Sequence, residues 1–252
     1  MKIISWNVNG LRSVLRKESL QEVITSKEYE AILLQEIKID KLDEELNEIG
    51  YFRFIMPAVS KKGYSGVLTL SKKAPLNIIY GIGDKKFDDE GRILTLEFED
   101  YFLMNAYFPN SRRDLSRLDY KMEFNYKVLD FMERLRRIKP VIIGGDFNVA
   151  HTALDIARPN QNEESAGFTG KERSFINLMI EKRYLDTFRL FNKNSGNYTW
   201  WTYIYKSARQ NNIGWRLDYF FVSGELKNKV TSAGIIKEKD GSDHVPVYVE
   251  IN

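Results

Sequence analysis

Short apolar runs, each closed by glycine, proline or a polar residue, recur along the chain and outnumber the stretches with helical spacing. Lys2–Trp6, Ala31–Leu34, Tyr51–Met56, Gly66–Ser71, Leu76–Tyr80, Ile93–Phe98, Tyr101–Ala106, Val141–Ile143, the end of Gly214–Val222, and Val245–Glu250 all read as strands. Tight turns such as Glu99-Asp100 favour antiparallel pairing of neighbouring runs. Helical spacing marks three places. Leu11, Val14, Leu15, Leu20, Val23 and Ile24 suit an early helix, and Lys171–Arg183 turns Phe175, Leu178 and Met179 inward. The third is a long amphipathic stripe of Leu118, Met122, Tyr126, Leu129, Met132, Leu135 and Ile138, whose methionine and aromatic members read as core. So many short strands bury their apolar faces best as two stacked mixed β-sheets with helices outside, an α+β four-layer α/β/β/α sandwich. No Pro/Gly/Ser-rich linker divides the 252 residues, so a single domain over 1–252 is expected. Strand-loop-helix units near residues 2–27 and 93–138 suggest two distantly similar lobes.

The ends of these runs carry the chemistry. Gly144-Gly145-Asp146-Phe147-Asn148-Val149-Ala150-His151 follows the Val141–Ile143 run. Two glycines there would let the backbone turn sharply and present Asp146 and Asn148 just past a strand's carboxyl end, where sheet enzymes gather ligands. Alone, that motif is equally a strand ending in a solvated Asx turn. Asn7 and Asn9 follow the first strand, and Glu36 follows the second, with Lys38 beyond it as an ion-pair partner. Tyr107, Asp218 and the Asp243-His244 pair lie at further strand ends. Carboxylates gathered in space repel unless a cation neutralises them. With no cysteine and only two histidines, His151 and His244, zinc sites built from several His or Cys are excluded, and any metal should be a hard cation on oxygen ligands.

A net charge of +3 does not by itself call for a polyanionic partner. Arg112, Arg113 and Arg117 at the start of the long helix are unusual beside a positive helix terminus, which points to an anion as much as to solvated side chains. Lys61–Gly66 reads as a basic turn displaying Tyr64, and a second basic loop carries Lys206 and Arg209. No apolar run approaches the roughly 18 residues of a membrane span. Met1-Lys2 leads straight into the first strand, so a soluble cytoplasmic protein is expected.

Taken together, SWNVNGLR, LLQEIK, KKGYSG, NAYFPN, GGDFNVAH, GWRLDYFFV and GSDHVP, in this order between residues 2 and 251, closely resemble the exonuclease III family of apurinic/apyrimidinic endonucleases. SDH and GDxN occur across the wider endonuclease/exonuclease/phosphatase superfamily, whereas their combination with GWRLDYF and FPN marks the DNA-repair branch. The resemblance implies a Mg²⁺-dependent (or Mn²⁺-dependent) hydrolase that cuts DNA 5′ to abasic sites, leaves a 3′-hydroxyl and trims 3′ ends. Its partner would be double-stranded DNA with abasic sites or blocked 3′ ends. It would act as a monomer in a prokaryote-like cytoplasm, nucleoid-associated by function.

By matching position, Glu36 would be the principal metal ligand with Asn7, Asn9 and Asp243 beside it; family members often carry Asp where this chain has Asn9. His244 would contact the scissile phosphate, oriented by Asp218, and Asp146 would orient or deprotonate the attacking water. Asn148 would hold a phosphate oxygen, Asn110 would help positioning, and Tyr107 would bind the phosphate or protonate the leaving group. The resemblance leaves the division of proton transfers among Asp146, Tyr107 and His244 open. Trp200, Trp215 and Leu217 would line a small pocket for a base-free deoxyribose. Arg12, Lys17, Tyr64, Arg113 and Arg117 would grip DNA phosphates or the minor groove. Arg158 and Ser165 replace asparagines found in some relatives, so phosphate contacts there are not expected. Two rival readings are another superfamily phosphodiesterase, such as a phosphoinositide phosphatase, sphingomyelinase or general nuclease, and a catalytically inactive DNA-binding protein.

Overall fold

The computed structural model describes every residue except 43–45, 47–49 and 206, so Lys206 lies outside the described residues. Twelve strands and six α-helices follow in the order β1 (Lys2–Asn7), α1 (Leu11–Arg16), α2 (Ser19–Thr25), β2 (Ala31–Gln35), β3 (Phe52–Met56), β4 (Val67–Ser71), β5 (Asn77–Tyr80), α3 (Lys85–Asp88), β6 (Ile93–Glu97), β7 (Phe102–Tyr107), α4 (Leu118–Arg136), β8 (Val141–Asp146), α5 (Gly170–Glu181), β9 (Tyr184–Asp186), α6 (Thr187–Phe191), β10 (Asp218–Ser223), β11 (Val230–Ile235) and β12 (Val247–Ile251) among the described residues. They form two six-stranded sheets, ordered β11-β12-β1-β2-β4-β3 and β5-β6-β7-β8-β10-β9. In each sheet the central pair, β1 with β2 and β7 with β8, runs parallel through a helical crossover, and its flanking strands pair antiparallel. The two lobes suggested by the sequence are these two crossover units.

Strand alternation builds the layers. Ile3, Leu33, Val247 and Val249 face Leu103, Ile142, Phe220 and Val222 of the other sheet, forming the inter-sheet core. One residue along, Ile4, Ile32 and Leu34 turn outward under Val14, Leu20 and Val23 of α1 and α2. On the opposite side Met104, Ile143 and Phe221 pack beneath Val128 and Met132 of α4 and Phe175 and Met179 of α5. The result is the four-layer sandwich that the strand count implies.

Several local expectations are corrected. The early helix is two, because Glu18 adopts a left-handed φ of 58° after α1. In α4 the buried face runs through Lys121, Phe124, Val128, Met132 and Leu135, while Tyr126 is 45% exposed and Ile138, beyond the helix, 69% exposed. Successive four-residue steps advance about 40° past a full turn, so a 118–122–126 row drifts off the sheet. Gly144 and Gly145 belong to β8 rather than to a turn after it. A Cβ on Gly145 would collide with the Ala106 carbonyl on β7, and one on Gly144 with Phe220. These glycines serve close strand and sheet approach, which brings Asp146 to the strand's last position. The one-turn α3, the short β9 and α6, and the edge strand β11 carry too little periodicity to be read from the sequence.

Candidate active site

The carboxyl ends of β1, β2, β7 and β8 lie at one end of the sandwich, delivering Asn7, Glu36, Tyr107 and Asp146 there. The antiparallel neighbours contribute from their opposite ends: Asp218 opens β10, directly across from Asp146, and Asp243-His244 precede β12. Beneath them a buried polar cluster ties the sheets together. Gln35 Nε2 donates to Ser5 Oγ at 3.0 Å and to Asn105 Oδ1 at 2.7 Å. Asn105 Nδ2 in turn donates to the Leu68 carbonyl at 2.9 Å.

Asp146 is the hub. Its Oδ2 accepts from Asn7 Nδ2 at 2.8 Å and from Asn148 Nδ2 at 3.3 Å, and its Oδ1 accepts the Asn148 backbone N–H at 2.8 Å. The Asx turn expected for an isolated motif is therefore present, inside the site. Asn7 Nδ2 also reaches Glu36 Oε2 at 3.1 Å. Asn148, at a left-handed φ of 50°, donates to the Phe108 carbonyl and accepts from Asn110 Nδ2 at 3.1 Å. His244 Nδ1 lies 2.8 Å from Asp218 Oδ2, and its Nε2 faces Asp146 Oδ2 at 3.9 Å. Asp243 sits one layer out, accepting from Asn9 Nδ2 and from Trp200 Nε1, each at 3.0 Å. Lys38 donates to Asn9 Oδ1 and lies 2.9 Å from Glu36 Oε1, the ion pair its spacing suggested.

Burial sets the electrostatics. It pushes the Asp146 carboxyl up to about 7, with His244 pulling the other way. Burial would lower the His244 imidazole, but the carboxylates of Asp218 and then Asp146 outweigh it and raise it to about 10. Burial opposes ionisation of Asp243 too, yet His244, Asn9 and Trp200 hold it below the usual carboxylate range. Burial, then Glu36, drives the Tyr107 phenol well above its ordinary value. The site thus holds an imidazolium beside a carboxyl poised to exchange its proton near neutrality.

Asp146, Asp218 and His244 each offer a ligand atom within 4.8 Å of the others, so this buried cluster could hold a metal ion. The His244 nitrogens, however, already face carboxylates on both sides. Glu36, Asn7, Asn9 and Asp243, joined by Asn7 Nδ2 to Glu36 Oε2 at 3.1 Å and Asn9 Nδ2 to Asp243 Oδ1 at 3.0 Å, carry oxygen and no sulfur, the ligand chemistry that suits a hard cation.

Trp200, Trp215 and Leu217 gather with Phe168, Ile156 and Ala150 into an apolar cluster. Backbone bridges join Trp200 to both Trp215 and His244, fixing this cluster against the imidazole. Tyr64 is half-buried rather than displayed, its hydroxyl accepting from Arg92 at 3.1 Å and Arg117 at 2.8 Å. Arg12, Lys17 and Arg113 are exposed, and Lys17 Nζ donates to the Gly241 carbonyl at 3.0 Å. His151, 2.7 Å from Asn177 Oδ1 through its Nε2, stands outside the constellation.

Comparison with known proteins places the chain by sequence and by fold. The sequence matches the model of the endonuclease/exonuclease/phosphatase family over residues 4–244. The chain belongs to that family. Within it, the chain is 45% identical to an exodeoxyribonuclease of Bacillus subtilis, over the whole of both sequences. It is 39% identical to the DNA repair nuclease APEX1 of Danio rerio, covering 98% of this family member and 81% of the fish protein. Among solved structures, the AP endonuclease LMAP of Leishmania major superposes with a TM-score of 0.88 at 29% identity, covering 100% of this chain and 87% of that one.

Some residues that shape the site were not singled out by the sequence. Arg92, buried, stacks its guanidinium 4.7 Å from the Tyr107 ring centroid and donates to Glu90 Oε2 at 2.6 Å. Arg216, buried inside the GWRLDYF motif, donates to Asp155 Oδ1 at 2.7 Å and Asp186 Oδ2 at 2.6 Å, anchoring the turn that presents Leu217 and Asp218. Its place between two assigned neighbours was the available signal. Lys121 lies on the apolar face of α4, where a charged residue is itself the signal.

Proposed function

We propose that this family member is a DNA-repair phosphodiesterase that hydrolyses the backbone 5′ to abasic sites, leaving a 3′-hydroxyl, and also trims 3′ ends. The observation that carries this reading is the contact between the His244–Asp218–Asp146 constellation and the apolar cluster of Trp200, Trp215 and Leu217. The names of the Bacillus and zebrafish relatives, an exodeoxyribonuclease and a DNA repair nuclease, support the substrate class. An apolar surface beside the imidazole suits a deoxyribose flipped out without its base.

The roles are those the family resemblance implies, set on the contacts described above. Asp146 faces the attacking water and accepts its proton. His244, kept as imidazolium by Asp218, donates to a phosphoryl oxygen as negative charge develops there. Asn148 Nδ2 donates to the Phe108 carbonyl at 3.0 Å and, through a longer bond of 3.3 Å, to Asp146 Oδ2, and a phosphate oxygen would share the hydrogen of that longer bond. Asn110 fixes that amide, and Tyr107 binds the phosphate or protonates the leaving oxygen. Mg²⁺, with Mn²⁺ as a substitute, would be held by Glu36 with Asn7, Asn9 and Asp243 beside it. When bound it supplies positive charge to the phosphoryl group. Arg12, Lys17, Tyr64, Arg113 and Arg117 hold the DNA backbone of a monomeric complex. A panel of abasic, gapped, 3′-blocked and intact duplexes, alongside phosphoinositide and sphingomyelin substrates, tests the reading. Cleavage confined to the DNA lesions is expected, and preference for a lipid phosphodiester would overturn it.

A further inference from the structure

Lys121 on α4 and Glu172 on α5 are both fully buried and pair at 2.8 Å, in a region that touches no proposed substrate group. Glu172 Oε2 accepts the Thr169 N–H at 3.2 Å, the Thr169 hydroxyl at 2.7 Å and the Gly167 N–H at 2.9 Å. A capping box at the start of α5 accounts for the Thr169 bonds. It does not account for the other oxygen. Oε1 accepts from Lys121 and from Ser111 Oγ at 2.7 Å, next to Asn110. Lys121 Nζ then donates to the backbone carbonyl of Asn148 at 2.6 Å. One ion pair therefore fastens three loops: the one carrying Asn110, the one carrying Asn148, and the one carrying Gly167 and Phe168 beside Trp215. Asn148 holds a left-handed φ of 50°, which asparagine tolerates better than most side-chain-bearing residues, so keeping this turn in one place calls for a constraint on its backbone. The ammonium on its carbonyl supplies that constraint.

A capping role alone would ask only for an acid at residue 172, and a buried ion pair is a weak source of net stability. We propose that Lys121 and Glu172 are positioning residues, whose purpose is to hold the Asn148 turn, and so the Asn148 amide, at the phosphate. The pair couples that amide to the loop behind the apolar cluster. This rests on the assignment of Asn148 to the phosphate made above.

The test uses the charge-balanced variant Lys121→Met/Glu172→Gln, which removes the donor to the Asn148 carbonyl while keeping an acceptor for Gly167 and Thr169. With wild type, Glu172→Gln, Asn148→Ala and the triple variant, it is assayed on an abasic duplex under single-turnover conditions, with melting followed in parallel. The account expects Lys121→Met/Glu172→Gln to lose about 100-fold in cleavage rate, the scale of a small misplacement of a reacting group. DNA affinity should stay within about threefold, and Glu172→Gln alone should lose part of the rate, because its amide N–H cannot partner the buried Lys121 ammonium that holds the Asn148 carbonyl. Added to Asn148→Ala, the double change should cost little more, since residues acting through one group are non-additive. Full additivity, a wild-type rate in the double variant, or collapse of its melting transition would each assign the pair to the fold rather than to the site. If wild type itself does not nick the duplex, the functional reading fails instead.

Discussion

His244 Nδ1 lies 2.8 Å from Asp218 Oδ2, and both groups are buried. That hydrogen bond fixes the imidazole orientation and, with Asp146, holds its charge up to about 10. Asp218→Asn keeps the shape and removes the charge. The rate of abasic-site cleavage should fall by about 100-fold or more, the scale of a lost donor to a developing oxyanion, and the alkaline limb of the pH–rate profile should move to lower pH. An unchanged alkaline limb would separate His244 protonation from catalysis.

Asp146 makes the complementary prediction. Burial raises its carboxyl to about 7, so the folded state holds a proton that the unfolded chain releases near 3.8. Its contribution to stability is full at low pH and is lost as pH rises through the folded value. Asp146→Asn should abolish cleavage while its melting temperature gains on wild type between pH 4 and 7. A variant that is inactive and falls behind wild type across that window would show that Asp146 is structural.

The Arg216 network predicts a stability effect with the opposite pH sense. Burial opposes ionisation of Asp155, but Arg216 and Arg189 hold its carboxyl far below the usual range. Arg216→Met leaves Asp155 and Asp186 without their buried partner and should cost about 3–5 kcal/mol in urea unfolding at pH 7. The deficit should shrink as pH falls below the ordinary carboxylate range, where wild type loses the same interaction. A constant deficit from pH 4 down to pH 2 would point to lost packing against Tyr219, whose ring centroid lies 4.2 Å from the guanidinium, instead.

Metal binding can be read without turnover. Glu36→Gln should weaken Mn²⁺ binding, measured by calorimetry or electron paramagnetic resonance, by about 10-fold or more, since a small hard cation relies on one or two carboxylates. Asp218→Asn should leave the affinity within about threefold. The reverse ranking would place the ion in the Asp146, Asp218 and His244 cluster.

The fold was legible because sheet architecture follows from counting short alternating runs, and the site because its groups fall at the ends of those runs. Gly144 and Gly145 were misplaced into a turn: their absent side chains signal close approach, and only the partner surfaces, Ala106 and Phe220, show which approach. The α4 stripe failed at Tyr126 because a row of four-residue steps drifts around a helix, and the sequence does not say which face meets the sheet. Lys121, Glu172 and Arg216 were passed over for a different reason. A charge reads as solvated until its partner is seen beside it, 51 residues away for Lys121 with Glu172 and 61 for Arg216 with Asp155.

Asp146 and His244, with a hard cation, are proposed to hydrolyse DNA beside the apolar cluster of Trp200, Trp215 and Leu217. The most direct test is end-group analysis of an abasic duplex incubated with purified protein, with Mg²⁺ or with chelator. The account predicts a single Mg²⁺-dependent nick immediately 5′ to the lesion bearing a 3′-hydroxyl, absent in Asp146→Asn and His244→Ala. A nick 3′ to the lesion, or incision that survives the chelator or either substitution, would contradict it.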